Sequence, residues 1–380
     1  PTPDEKNGDW AVEQLRALAA TKAKNRKPFF MGVGFIRPHT PLIVPQKFFD
    51  MFPVDKISLP EILDGDIEDT FAQTIRGLPE GKEPNSERTE DMGSKLFRKL
   101  VESYESRDEA LRHFIQAYLA SIASVDEQVG RILDVIDTTE LKDNTIIVLT
   151  SDHGWGMGEK DYLYKNSLWQ ESTRIPLIVR APGIALADTT CNRPVSLVDI
   201  YPTLCDLCDL EGDTMKNEKG HPLDGHSFRP LLEDPTNGTW TGPGEALTAL
   251  YKWRMKYDPH EESYALRSSD WRYIRYENGK EELYNTASDP NEWENLATKT
   301  KHEDRIQRFR QTLASRLPEK GVVPPQPQWK APGKPEPKSN EYWKDLYFKK
   351  NPDADADKDG TLSWPELQAH KKAVAEKAPQ

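Results

Sequence analysis

The sequence predicts an α/β fold, and three observations carry that reading. Pro28-Phe-Phe-Met-Gly-Val-Gly-Phe35, Thr145-Ile-Ile-Val-Leu-Thr150 and Ile175-Pro-Leu-Ile-Val-Arg-Ala181 are short, continuous apolar runs, the pattern of strands covered on both faces. Between the first two, apolar residues from Leu111 through Phe114, Ile115, Tyr118 and on to Ile136 recur at intervals of three and four, predicting one long helix with a single buried face. Strands alternating with helices then predict a mostly parallel sheet lying between helices.

Taken in order, Asp9 to about Ala20 combines an acidic start with Trp10, Val12, Leu15 and Leu18 near helical spacing, a short amphipathic helix. The strand at 28–35 runs into Ile36-Arg-Pro-His-Thr-Pro41, a loop stiffened by two prolines. Residues 54–93 are polar and acidic and predict a surface excursion. The strand at 145–150 ends in Ser151-Asp-His-Gly154. Ser196 to Asp209 reads as an apolar helix in which Cys205 and Cys208 are expected as small core residues. Beyond about residue 240, Tyr264-Ala-Leu-Arg267, Trp271–Tyr276 and Glu282-Leu-Tyr284 predict short aromatic strands, with Asn278-Gly279 as a hairpin turn and a helix near His302–Leu317. Pro318, Pro324, Pro325, Pro327, Pro332, Pro335 and Pro337 mark an extended linker. The expected organisation is an α/β unit at 1–240, a small antiparallel α+β unit at 241–317, a linker at 318–339 and a tail unit at 340–380.

Composition limits the function. Across 380 residues the formal net charge is −12, which excludes the basic footprint of a general nucleic-acid binder. Mean hydropathy is −0.77, yet 9% aromatic content and the apolar runs exclude wholesale disorder. No run approaches the roughly 18 apolar residues of a membrane-spanning helix. Three cysteines are too few for a disulfide framework, and the lone Cys205-x-x-Cys208 has no second pair to build a zinc site. The chain opens Pro1-Thr2-Pro3, without an initiator Met or a signal core, and is expected to be a processed or partial form of something longer.

Two constellations bear chemistry. Asp355-x-Asp357-x-Asp359-Gly360-Thr361-Leu362-Ser363-x-x-Glu366 matches an EF-hand calcium loop along its length. Asp355, Asp357, Asp359, Thr361, Ser363 and Glu366 supply oxygen donors spaced to wrap one ion, Gly360 permits the sharp turn, and the flanks 341–350 and 365–377 can both be helical. An acidic disordered tail is the plain alternative. The second constellation is Asp152-His153 after one apolar run and His39 after another, with Lys165 further on. Carboxyl ends of strands in open α/β sheets are where ligand sites gather. The first pair can donate to a metal and the second can hold an oxyanion. Singly, an Asp-His pair is as readily a loop cap, and a His flanked by prolines can simply bond to backbone.

Thr150-Ser-Asp-His-Gly-Trp-Gly-Met-Gly-Glu159, Lys165 and Arg174-Ile-Pro-Leu-Ile-Val-Arg-Ala-Pro-Gly183, in that order, resemble the type I, formylglycine-dependent sulfatases. With His153 and Trp155 after the Asp they look most like the iduronate-2-sulfatase branch. Phe29–Pro41, Tyr118–Leu133, Leu197–Leu204 and Glu282–Leu296 continue the likeness over about residues 9–300. The resemblance implies an alkaline-phosphatase-like sandwich truncated at its N-terminus. It implies a sulfuric ester hydrolase acting on a sulfated sugar in an extracytoplasmic location. By it, Asp152 and His153 are ligands of an active-site calcium, Lys165 binds a sulfate oxygen and His39 serves the departing alcohol. Trp155 becomes a pocket wall, with ordinary packing as the equal alternative. The family's C/S-x-P-x-R segment, the source of formylglycine, is absent here, so the chain holds no nucleophile and is expected to be inactive without a missing N-terminal half. Two other readings stand: an alkaline-phosphatase-like phosphodiester or phosphonate hydrolase, and a non-catalytic calcium-binding protein.

Overall fold

The computed structural model describes residues 1–21, 27–70, 91–210, 222–250, 258–320, 344, 347–349 and 351–377. It divides into two units, Pro1–Val322 and Val323–Gln380. In chain order the first contains α1 (Pro3–Ala20), α2 (Gln46–Phe49), α3 (Met92–Val101), α4 (Arg107–Asp137), β1 (Ile147–Thr150), α5 (Gln170–Thr173), β2 (Leu177–Arg180), α6 (Ile200–Leu207), α7 (Arg229–Glu233), β3 (Ala246–Leu250), β4 (Ser263–Arg267), β5 (Trp271–Arg275), β6 (Glu281–Asn285) and α8 (Glu303–Arg316). The second contains α9 (Trp364–Lys377).

Helix α1 begins six residues before the expected Asp9, and the reason is local. Thr2 and Glu5 form a reciprocal capping box, Thr2 Oγ1 accepting from Glu5 N at 3.2 Å and Glu5 Oε2 from Thr2 N at 2.6 Å, with Pro3 in the first helical position. Val12 and Leu15 of α1 bury against Val135 and Ile136 of α4. A Cβ on Gly8 would stand 2.6 Å from Gln128 Oε1, so a larger residue there requires the Gln128 side chain to move. The long helix starts where Ser106 caps it, its side chain accepting from Glu109 N at 3.2 Å.

The expected parallel sheet is not found among the described residues. Strands β1 and β2 pair antiparallel, Ile147 opposite Arg180 and Thr150 opposite Leu177. The segment between them carries short turns and α5 instead of a crossover helix, so the chain returns in the opposite direction. The predicted strand at 28–35 has no ladder, and Phe30 is 86% exposed. Its run looks like a strand covered on both faces, but no described strand lies beside it. Cys205 is only half-buried and Cys208 is exposed, correcting their assignment to the core. Helix α6 ends at Leu207, which leaves Cys208 as its solvent-facing cap.

The aromatic strands form an antiparallel meander, β3-β4-β5-β6, with the unforeseen β3 at its edge. Gly279, at φ +77°, makes the turn between β5 and β6. Alternation places Tyr264, Leu266, Tyr273 and Leu283 against Ile306, Phe309 and Leu313 of α8. The opposite face sets Ala265, Ile274 and Tyr284 against Tyr162, Leu168 and Trp169. One sheet therefore has a helix on one face and the arm around Lys165 on the other. Most of the 318–339 linker lies outside the described residues.

In the second unit, Ala354, Leu362 and Leu367 bury together, with Tyr347 and Phe348 against them. Residues 344 and 347–349, in the flank expected to be helical, are helical.

Candidate active site

Two chain segments cross immediately after β1. Gly154 N donates to Ser172 O at 2.9 Å, and Gly156 N to Tyr164 O at 2.9 Å. A Cβ on Gly154 would lie 2.0 Å from Glu171 O, so the crossing requires glycine there. The crossing carries Asp152 and His153 on one segment and Lys165 on the other. His153 Nδ1 lies 2.8 Å from Gly154 O, which turns Nε2 toward Asp152 Oδ2 at 3.4 Å. The Asp152 carboxylate is 83% exposed. Asp152, His153 and Lys165 line one cavity of about 1890 Å³.

His39 is not among the residues lining this cavity, but it touches Lys165, which is. Its Nε2 is 3.3 Å from Lys165 Nζ across 126 residues of sequence. Nδ1 lies 2.5 Å from the Thr40 carbonyl, which accepts its proton and leaves Nε2 for Lys165. Asp4 holds the loop. Buried at 3% exposure on α1, it accepts Ile36 N at 2.7 Å and Arg37 N at 3.1 Å. Arg37 in turn donates to Ile43 O and His39 O. Nothing in the sequence singles Asp4 out. Its only signal was an acid in the first turn of a helix.

A buried ionic network, also missed, braces the Lys165 arm. Lys160 Nζ donates to Asp66 Oδ1 at 2.7 Å and to Glu292 O at 2.6 Å. Arg272 pairs with Glu292 and donates to Leu168 O and Thr173 Oγ1 at 3.3 and 2.9 Å. Glu292 also accepts Gln170 N at 3.0 Å, and Glu282 accepts Trp169 Nε1 at 2.9 Å. Burial first, then the nearby Glu292 and Glu159 carboxylates, push Glu171 up to about 7. Trp155 lies outside the cavity lining, its ring 6.3 Å from Phe114 and 5.4 Å from Tyr164, and its buried Nε1 has no hydrogen-bond partner among the described residues.

Asp152 and His153 offer two facing donors, which fits part of a calcium shell of about six to eight ligands. Among the described residues, only Asp355, Asp357 and Asp359 gather three carboxylate donors within 4.8 Å of one another. There Asp355 Oδ2 accepts Gly360 N at 3.0 Å, while its buried Oδ1 has no partner, the orphaned oxygen a cation would satisfy. Gly360 takes φ +86°. Glu366 folds back to accept Ala356 N, Asp357 N, Ser363 N and Ser363 Oγ, and the Ser363 hydrogen bonds first of all hold its carboxyl down at about 2.

The scaffold thus brings the Asp152–His153 pair and Lys165 to one cavity, with His39 in contact with Lys165. The comparisons give the family. The sulfatase profile matches residues 3–210, and that of the N-sulphoglucosamine sulphohydrolase C-terminal region matches 158–319. The chain belongs to the sulfatase family. A sulfatase of Formosa agariphila is 33% identical over 314 residues, covering 82% of this chain and 53% of the relative. The choline-sulfatase of Rhizobium meliloti is 28% identical, covering 72% and 47%. Human iduronate 2-sulfatase is 32% identical over 218 residues, covering 53% and 34%. The chain thus spans about half the length of the curated relatives it matches. Among solved structures, a protein in complex with its substrate D-glucosamine-2-N,6-O-disulfate superposes with a TM-score of 0.61 at 21% identity, over 81% of this chain and 68% of that one. The phosphonate monoester hydrolase of Agrobacterium radiobacter gives 0.59 at 23%, over 81% and 60%. These likenesses show that the chain shares its fold with those two proteins.

Proposed function

We propose that this chain forms part of a sulfuric ester hydrolase of the iduronate-2-sulfatase-like branch, acting on a sulfated sugar outside the cytoplasm. The observation that carries the reading is the 3.3 Å approach of His39 Nε2 and Lys165 Nζ beside the Asp152–His153 turn. A sulfate ester needs fixed positive charge where its oxygens gain charge, and a proton donor where the alkoxide leaves. Lys165 supplies the first and His39 the second. Asp152 and His153 would hold a calcium ion whose charge polarises the sulfuryl group. Trp155 backs the site against Phe114 and Tyr164.

No C/S-x-P-x-R segment occurs in these 380 residues. The proposed nucleophile, formylglycine, and the remaining metal ligands therefore come from sequence outside them. The test supplies the upstream coding region in cis or in trans and measures turnover of a chromogenic aryl sulfate with calcium present. Lys165→Ala and His39→Ala should each lower turnover by about 10²–10³-fold. The 380-residue chain by itself should give none above those variants, and turnover by it would overthrow the reading. The phosphonate monoester hydrolase likeness favours one alternative, hydrolysis of a phosphonate or phosphodiester. Preference for an aryl phosphonate over the sulfate would establish it.

The tail loop 355–366 is proposed to bind a second calcium. Isothermal calorimetry on an Asp152→Ala background, which removes the first site, should show binding at roughly 10⁻⁴–10⁻³ M. Glu366→Ala should abolish it. Binding that survives would mean the loop does not close as an EF-hand.

A further inference from the structure

The first turn of α1 does not need Asp4 as a cap. Thr2 and Glu5 already close it by accepting one another's backbone N–H groups. Asp4, only 3% exposed, instead directs both carboxylate oxygens at the loop that carries His39. Oδ1 accepts Ile36 N at 2.7 Å and Oδ2 accepts Arg37 N at 3.1 Å. Each of those two residues then bonds to the backbone of His39. Ile36 O accepts His39 N at 2.9 Å, and the Arg37 guanidinium donates to His39 O at 3.1 Å and to Ile43 O at 3.2 Å. His39 Nδ1 is tied to Thr40 O, which leaves Nε2 facing Lys165. Asn7, one turn after Asp4, adds a bond from Nδ2 to Gly34 O at 2.8 Å. The helix that bears both is fixed to α4 through Val12 and Leu15. His39 itself is exposed, so these bonds and not packing set the direction of its ring. The residue type at position 4 follows from valence. Two adjacent N–H groups converge there, and a carboxylate accepts with both oxygens where an amide accepts with one and turns donors against the other.

We propose that Asp4, acting through Ile36 and Arg37, is the positioning residue of His39, holding Nε2 where the departing alcohol takes its proton. This deepens the sulfatase reading and rests on it. A proton donor contributes only while it lies within hydrogen-bond reach of the leaving oxygen, and a misplacement of about 1 Å can cost on the order of 10²-fold. Bonds from backbone N–H groups to a charged acceptor are about twice as strong as neutral ones, so the carboxylate fixes the loop where an amide would not. The consequence is selective. Asp4 counts in proportion to the leaving group's need for a proton, whereas a residue that merely supports the fold counts equally for every ester.

The chain, supplied with the proposed upstream segment, is tested on two aryl sulfates: 4-nitrophenyl sulfate, which has the better leaving group, and phenyl sulfate, whose phenoxide is more basic. Asp4→Asn should lower kcat on phenyl sulfate by about 10–10²-fold with KM little changed, and on 4-nitrophenyl sulfate by a smaller factor. Arg37→Met, which cuts the link to His39 O and leaves α1 intact, should show the same dependence on the leaving group. In a His39→Ala background Asp4→Asn should cost nothing more. In the 380-residue chain, amide exchange at Ile36 and Arg37 should quicken in Asp4→Asn while that of β5 and β6 stays as it was. Equal losses on the two esters in both variants, or a full further loss in the His39→Ala background, overturn the positioning role while His39→Ala keeps its own leaving-group dependence. Faster exchange throughout β5 and β6 also overturns it, since Asp4 then supports the fold at large. Equal losses on the two esters in His39→Ala itself overturn the proton-donor reading beneath it.

Discussion

Glu171 is a carboxyl that the crossing of two segments has taken out of water. Its backbone carbonyl lies so close to Gly154 that no side chain fits between, and its own acid is held up at about 7 by burial and by Glu292 and Glu159. A carboxyl whose folded value stands above its unfolded one is favourable while protonated. Its share of stability is complete below about 4.5 and is lost as pH rises through about 7. The amount is on the order of 2–3 kcal/mol. Urea midpoints at pH 5 and pH 8 should therefore show a loss that Glu171→Gln largely removes. An unchanged pH slope in that variant would place the titration elsewhere. Asp4, also buried, accepts two backbone N–H groups of the His39 loop.

Among the elements, the sheet β3–β6 does the most to place the site. Arg272 and Glu292 join it to the Lys165 arm through a pair with side chains only 2% and 1% exposed. Removing one partner leaves the other charge buried without compensation, so Arg272→Met should cost about 3–5 kcal/mol. Adding Glu292→Gln should recover part of that loss, and a double-mutant cycle by chemical denaturation measures how much. Full additivity would mean the two do not act as a pair. None of this was visible in the sequence. Arg272 and Glu292 stand twenty residues apart and look like any solvated charges, because periodicity records which face is apolar and not which charges lie beneath it. What periodicity does record was legible: the α4 stripe from Leu111 to Ile136, the runs of β1 and β2, and the alternating aromatics of β4 to β6. Strand direction was not, since an apolar run reads alike whichever way its neighbour travels. The stretch at 28–35 misled for a related reason: strand composition states a preference, and a ladder needs a neighbour. Of the site, the chemistry-bearing residues could be picked out by type and by resemblance, whereas Asp4 and Lys160, which support the segments bearing them, could not.

Across the whole of the first unit, apolar side chains remain uncovered: Phe30 at 86%, Ile43 at 67%, Ile178 at 62%, Val198 at 59% and Tyr201 at 52% exposed. Exposed apolar surface on this scale marks a contact surface. The chain should bind a hydrophobic dye strongly and associate at micromolar concentration, and co-expression with the proposed upstream segment should suppress both. A monomeric, dye-silent chain would show that these residues need no cover. The Lys165 arm and the His39 loop also differ in how they are anchored. Residues 162–169 are the far side of a sheet core, so amide hydrogen exchange there should require the same opening as in β5 and β6. The His39 loop hangs from α1 by the Asp4 carboxylate and a few backbone bonds. Breathing at the site therefore belongs to the His39 loop, and a ligand that enters by displacing a segment meets that loop as the door and the Lys165 arm as the frame.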